Sequence, residues 1–322
     1  MKLENTTCKT PIHEITSLFS NENTIYMKRD DLQPFSFGGN KVRIARKILE
    51  GMYAAGCDTL ITYGNKRSNL CRVTTNMCAA LGVKCYMISV VDDDHGCQKA
   101  FNGEMAHLFK AEVVQCAKAD VDVTVAKVKE QILAEGGKPY YINEPEAVIN
   151  QASTYIDVYN EIYEQSKEFG GFDYIFCASG SGTTQAGLTL GKLMHPEYEN
   201  GPKIVGISTA RVYERGMLKL NEHIDGYFTL NPDKRVSKEK IDKEINLCTD
   251  YLCGGYTFYD DDIYNACTDM LIKNGIELDP TYTGKAYVGC EKYLRDNNIK
   301  GKKVLFVHTG GLPLFFDLMN EQ

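Results

Sequence analysis

Short apolar runs alternate with amphipathic segments along almost the entire chain, and this alternation restricts the fold more than any other feature of the sequence. Residues 24–28 read as a strand and 42–54 as a helix, with Val42, Ala45, Ile48, Leu49 and Met52 at helical spacing. A strand at 59–62, a turn centred on Gly64 and a helix at 68–81 closed by Gly82 come next. Strand 84–90, a helix around 98–109, strand 112–115, helix 121–134 and strand 139–142 complete a first series. The second half keeps the same grammar: helix 150–169, strand 174–177, helix 184–194, strand 204–207, helices 238–246, 261–274 and 283–297, and strand 304–308. The polar stretch 216–236 reads as irregular. Such β–α–β succession builds parallel sheets with helices on both faces, the α/β class. At about 150 residues per domain, 322 residues make two domains, although no Pro/Gly/Ser-rich linker marks a boundary.

The net charge of -7 leaves no basic field to hold nucleic acid or an anionic membrane, so any bound anion must be captured by a local site. No run of 18 apolar residues is present to span a bilayer, and residues 1–14 lack the apolar core of a secretory signal. The twelve cysteines form no C-x-x-C pair and mostly sit inside apolar runs, as Cys85 and Cys177 do. Free thiols in a reducing cytosol fit this pattern better than disulfides or a metal site. A cytoplasmic protein with no metal, nucleic-acid or membrane partner is expected.

Four segments carry chemistry. Ser179-Gly180-Ser181-Gly182-Thr183-Thr184-Gln185-Ala186-Gly187 follows an apolar strand and opens a helix. Glycines there let the backbone approach an anion, helix-start N–H groups point at it, and the Thr183 and Thr184 hydroxyls add donors. Gln185 at the third glycine position excludes the dinucleotide fingerprint, and Leu188 in place of the obligatory lysine excludes a nucleoside-triphosphate loop. A phosphate-bearing cofactor or an ordinary strand-to-helix turn remains. Gly38-Gly39-Asn40-Lys41 stands directly before a helix. In that first turn the helix dipole disfavours a cation and lowers the lysine pKa, which suits imine formation with an aldehyde. Taken alone, Lys41 reads more readily as a solvated surface lysine, and it is the phosphate-suited loop elsewhere in the chain that shifts the balance. Lys66-Arg67-Ser68-Asn69 opens the next helix, where Ser68 and Asn69 suit a carboxylate or phenolate oxygen, or Ser68 is a plain N-cap and the two cations are solvated. Finally, Leu278-Asp279-Pro280-Thr281-Tyr282-Thr283-Gly284-Lys285 starts a helix, and Val307-His308-Thr309-Gly310-Gly311 ends a strand. Ligands sit at such strand ends in open α/β sheets.

Taken together, these segments resemble the fold-type II pyridoxal-phosphate enzymes, most closely the branch of D-cysteine desulfhydrases and 1-aminocyclopropane-1-carboxylate deaminases. Lys28-Arg29-Asp30-Asp31-Leu32, Gly38-Gly39-Asn40-Lys41-Val42-Arg43, Arg67-Ser68-Asn69, the Gly180–Gly187 loop, Leu278-Asp279-Pro280, Tyr282-Thr283-Gly284-Lys285 and His308-Thr309-Gly310-Gly311 occur in family order across residues 11–316. The resemblance implies two open, mostly parallel sheets with helices on both faces, as in the tryptophan synthase β-subunit. It implies a large cofactor domain of residues 1–45 and 151–322, a small domain of residues 46–150 that closes over the active site, and a homodimer. It also implies roles. Lys41 holds pyridoxal phosphate as an imine and later moves the substrate Cα proton. Ser181, Gly182, Thr183 and Thr184 cup the phosphate, Asn69 meets the phenolic oxygen, and Thr283 meets the pyridine nitrogen. Ser68 contacts the substrate carboxylate, and Tyr256, in Gly254-Gly255-Tyr256, pairs with Tyr282 near ring and substrate.

The cyclopropane deaminases carry glutamate where Thr283 stands. A neutral hydroxyl makes a weaker electron sink, better suited to expelling a good β-leaving group than to opening a carbon ring. The expected reaction is β-elimination from a small amino acid, by a carbon–sulfur lyase or deaminase, yielding a keto acid and ammonia. Lys66, Arg67 and Leu70 depart from the family pattern around Ser-Asn, and two cations facing the substrate would favour an anionic β-substituent such as a carboxylate or sulfonate. Gly311-Leu312-Pro313-Leu314-Phe315 departs as well. β-Replacement of the cysteine synthase type is the alternative reaction, and cofactor binding without turnover is a further one.

Overall fold

Parallel strands cannot be joined by a tight turn, so each pair demands a crossover connection, usually helical. The computed structural model, which describes residues 1–19, 22–91 and 100–320, meets that demand in two separate sheets. The strands are β1 (Ile12–Glu14), β2 (Thr24–Arg29), β3 (Thr59–Gly64), β4 (Lys84–Val90), β5 (Glu112–Cys116), β6 (Pro139–Tyr141), β7 (Tyr174–Ser179), β8 (Lys203–Ser208), β9 (Leu247–Cys248) and β10 (Lys303–His308).

The chain divides into two units. One comprises Met1–Cys8, Gln33–Gln151 and Phe316–Gln322, and the other Lys9–Leu32 and Ala152–Phe315. Residues 33–45, Lys41 among them, therefore pack with the first unit. That unit holds the all-parallel sheet β5-β4-β3-β6. Helices Asn40–Ala54 and Asn69–Leu81 share one apolar cluster with it, built on Val42, Ala45, Ile48, Leu49, Leu60, Val73 and Met77. The second unit holds the sheet β1-β2-β10-β7-β8-β9, parallel throughout except that β1 runs antiparallel to β2. β7 and β10 are nearly continuous apolar runs because helices cover both faces. The α/β class and the two mostly parallel sheets agree with the sequence reading.

Within the second unit, helix Thr183–Met194 lies against helix Pro145–Ser166 at a distance only glycine allows. A Cβ on Gly187 would lie 2.2 Å from the Ala152 carbonyl, and one on Gly191 would lie 2.4 Å from Tyr159 Cβ. The Lys28–Leu32 motif proves to be scaffold. The Lys28 ammonium, fully buried, meets Glu161 at 2.5 Å, Gln165 at 2.8 Å and the Thr10 carbonyl at 2.5 Å. Asp30 accepts from Thr10 Oγ1 at 2.7 Å and from the Tyr155 hydroxyl at 2.6 Å. All eleven described cysteines are free, and burial pushes Cys71 up to about 11 and Cys177 up to about 12.

One expectation is overturned. The stretch 216–236 is mostly helix, Tyr213–Leu230, because Gly216, Leu220, His223, Ile224, Tyr227 and Phe228 recur at helical spacing and form its buried face. The helix expected around 98–109 spans Phe101–Leu108, and its expected start at Gln98 lies outside the described residues. The short strands β1 and β9 and the last helix, Leu312–Asn320, had no counterpart in the sequence reading.

Candidate active site

In the first unit, the approach to Lys41 is unusual backbone. Ser36, Phe37, Gly38 and Gly39 all have positive φ, at 46°, 60°, 69° and 96°. Non-glycine residues seldom adopt this region, and when they do the strain is commonly kept for function. The turn leads into helix Asn40–Ala54, so Lys41 is its second residue. Lys41 is half-buried and has no hydrogen-bond or ion-pair partner among the described residues. Desolvation brings its pKa down from 10.5 to about 8. The direction is the one the sequence implied, and burial is the cause.

Ser68 follows β3 and the turn at Asn65, whose carbonyl accepts from Ser68 N at 3.0 Å. Ser68 Oγ accepts from Cys71 N at 3.2 Å, so the residue is the N-cap of helix Asn69–Leu81. Capping uses an acceptor lone pair, and the hydroxyl also hydrogen-bonds the Cys71 side chain. Gly64 is required here, since a Cβ on it would fall 2.8 Å from Ser68 Oγ. Asn69 stands in the first helical turn, and its Oδ1 accepts from Asn102 Nδ2 at 3.0 Å. Arg67 is buried and Lys66 half-buried.

The loop read from the sequence as a candidate anion site lies in the second unit. Gly182, at φ 87°, caps helix Thr183–Met194 and leaves the first helical N–H groups free of intrahelical partners. Ser181 Oγ and Thr183 Oγ1 lie 2.9 Å apart, and His223 Nε2 is 3.4 Å from Thr183 Oγ1. Arg211 donates to the Gly180 carbonyl. Gln185 turns away from the loop. Its amide donates to the Asn246 carbonyl at 2.9 Å and packs against Gly206, where a Cβ would come within 1.9 Å of Oε1.

Gly180 brings the loop and the tyrosines together, since a Cβ there would lie 3.2 Å from Tyr282 Cε1 and 3.4 Å from Thr209 Oγ1. The Tyr282 hydroxyl donates to that of Tyr256 at 3.1 Å, and burial followed by the charge of Tyr256 pushes the Tyr282 pKa well above the phenol range. Tyr282 is therefore protonated at neutral pH. Tyr256 lies in a turn where Cys253, Gly254, Gly255 and Thr257 all have positive φ. The fully buried ammonium of Lys285 holds this turn by donating to the Gly255 carbonyl at 2.6 Å. Thr283 is deeply set. Its Oγ1 donates to Asp279 Oδ2 at 2.8 Å and accepts from Asp279 N at 2.8 Å, which leaves it one lone pair.

Thr209, Arg211, His223 and Asn102 escaped the sequence reading, and Lys285 entered it only as part of a motif. For Thr209 and Arg211 the signal was positional. They follow β8, whose Ser208 pairs with Ser179 of β7 and so ends beside the loop. The Thr209 hydroxyl is buried without a hydrogen-bond partner among the described residues. An orphaned hydroxyl beside a glycine-walled loop at a helix N-terminus fits a phosphate group.

The chain's likenesses agree with this chemistry. The sequence profile of the family described as pyridoxal-phosphate dependent enzyme matches residues 3–310. D-cysteine desulfhydrase of Salmonella schwarzengrund is 31% identical over 307 residues, covering 91% of this chain and 88% of the relative. The D-cysteine desulfhydrase of Salmonella typhi has the same identity and coverage. Among solved structures, a homologue of ACC deaminase superposes with a TM-score of 0.81 at 29% identity, covering 98% of this chain and 93% of the other. O-acetylserine sulfhydrylase isoform 3 of Entamoeba histolytica, at 16% identity and TM-score 0.68 over 99% of this chain and 91% of that one, shares the fold. With a profile match over nearly its full length and relatives 31% identical over 91% of it, the chain belongs to the pyridoxal-phosphate dependent enzymes.

Proposed function

We propose that the enzyme catalyses β-elimination from a small amino acid in the manner of a D-cysteine desulfhydrase, releasing a keto acid and ammonia. The observation that carries this reading is Lys41, an amine lowered to about 8 in a strained glycine turn, in a chain 31% identical to D-cysteine desulfhydrases. The cofactor supplies an aldehyde that condenses with amines and a ring that takes up electron density from the substrate Cα. In this reading Lys41 carries the cofactor and, once displaced by the substrate amine, takes the Cα proton. Ser181, Gly182, Thr183 and Thr184 hold the phosphate, joined by the orphaned Thr209 hydroxyl. Asn69 donates to the ring oxygen, and Thr283 meets the ring nitrogen. Ser68 binds the substrate carboxylate. Tyr282, protonated at neutral pH, hands a proton to the departing β-substituent, with Tyr256 as its hydrogen-bonded neighbour. Lys66 and Arg67 favour substrates whose β-substituent is anionic. The working enzyme is a cytoplasmic homodimer.

A panel of D- and L-amino acids with β-leaving groups, some of them anionic, tests this with purified holoenzyme. Keto acid and ammonia should form in equal amounts without an added nucleophile, and Lys41→Ala should abolish both. Product that appears only with an added thiol or amine would replace elimination by substitution.

A further inference from the structure

We propose that Asn102, a residue outside the motifs, sets which way the Asn69 amide faces and so makes Asn69 a donor toward the cofactor's ring oxygen. The inference rests on the cofactor contact assigned to Asn69 above. It begins with Arg72, one turn further along the same helix and 1% exposed. A guanidinium only donates. Arg72 has no carboxylate partner among the described residues, and its Nη1 reaches Asn102 Oδ1 at 3.3 Å.

Asn102, also 1% exposed, must therefore point its carbonyl at Arg72. Its Nδ2 then serves two acceptors, the Arg67 carbonyl at 2.9 Å and Asn69 Oδ1 at 3.0 Å. With its oxygen held there, Asn69 turns its NH2 group outward, where no described residue accepts from it. Donor polarity thus passes from a buried cation through one amide to the next. The start of helix Phe101–Leu108 is seated for this purpose. Phe101 N donates to Asp317 Oδ1 at 3.1 Å, and a Cβ on Gly103 would come within 3.1 Å of Lys66 Cβ, so the helix rests directly on the turn before Ser68.

Asn102→Asp separates this role from plain packing. The carboxylate keeps the size and pairs with Arg72, but it only accepts, so the Asn69 amide must turn its NH2 group toward residue 102 and offer its oxygen to the cofactor. Two readouts follow it: the dissociation constant for pyridoxal phosphate added to cofactor-free protein, and the pH titration of the bound cofactor's absorbance. Losing a donor to a charged oxygen should weaken the cofactor about tenfold or more. The ring oxygen should keep its proton to higher pH, by about a tenfold change in proton affinity. Asn69→Ala should move both readouts in the same direction. Asn102→Ala, which leaves the Asn69 amide unpinned, should move them less, and it carries the comparison should Asn102→Asp not fold by circular dichroism. If Asn69→Ala moves the titration and neither Asn102 variant does, Asn102 only packs and the inference is overturned, while the cofactor contact stands. If Asn69→Ala moves nothing, that contact is itself wrong, and the inference falls with it.

Discussion

Replacing Lys41 by Met in cofactor-free protein should stabilise the fold at neutral pH, and the gain should fade as the solution is made alkaline. Burial brings the amine from 10.5 to about 8, and each tenfold change in proton affinity is about 1.4 kcal/mol. The charged amine therefore costs the folded chain about 3 kcal/mol near neutral pH. The sign follows from proton counting. Between pH 8 and 10.5 the unfolded chain keeps the lysine proton and the folded chain gives it up, so wild-type stability rises with pH through that window. Methionine has similar length and no charge, so its stability lacks this rise. Urea denaturation of both proteins, near pH 7 and near pH 10, reads the difference. The Met variant should lead by about 3 kcal/mol in the first condition and by less than about 1 kcal/mol in the second. An equal difference in both would mean that the amine is solvated, and the argument for a reactive neutral lysine would fail.

Lys28→Ala would leave Glu161 nearly buried without its cation, and a loss of about 3–5 kcal/mol is expected from chemical denaturation. Gly206→Ala forces a methyl into Gln185 and should lower the melting temperature, while Gln185→Ala in the same chain should restore much of the loss, a coupling that a double-mutant cycle measures. Tyr282→Phe removes the proposed proton donor, so turnover of substrates with poor leaving groups should fall about a hundredfold or more. The loss should shrink in steady-state assays as the leaving group becomes a weaker base.

Much of the fold was legible because a parallel sheet writes itself into the chain as apolar runs spaced by amphipathic helices. Where that signal was diluted, it was missed. The face of helix Tyr213–Leu230 is built partly on Gly216 and His223, which do not read as apolar. β9 has two residues, too few for any period to register. Residues that open helices after glycine turns were also legible, since Lys41, Ser68, Asn69 and Thr183 occupy positions whose backbone chemistry is local. Residues that act across the chain were not. Thr209 is placed where β8 ends beside Gly180, and Asn102 on a helix that rests on the turn before Ser68.

The sequence alone determined the class of fold, the lysine-bearing turn and the glycine turn that opens helix Thr183–Met194, because each depends on neighbours within a few residues. Only the tertiary structure decided that Lys41 is desolvated, that Lys28 is scaffold, that the proton of Thr283 is held by Asp279, and which way the Asn69 amide faces. Burial and hydrogen-bond polarity are set by groups distant in the chain, and no local pattern of residues records them.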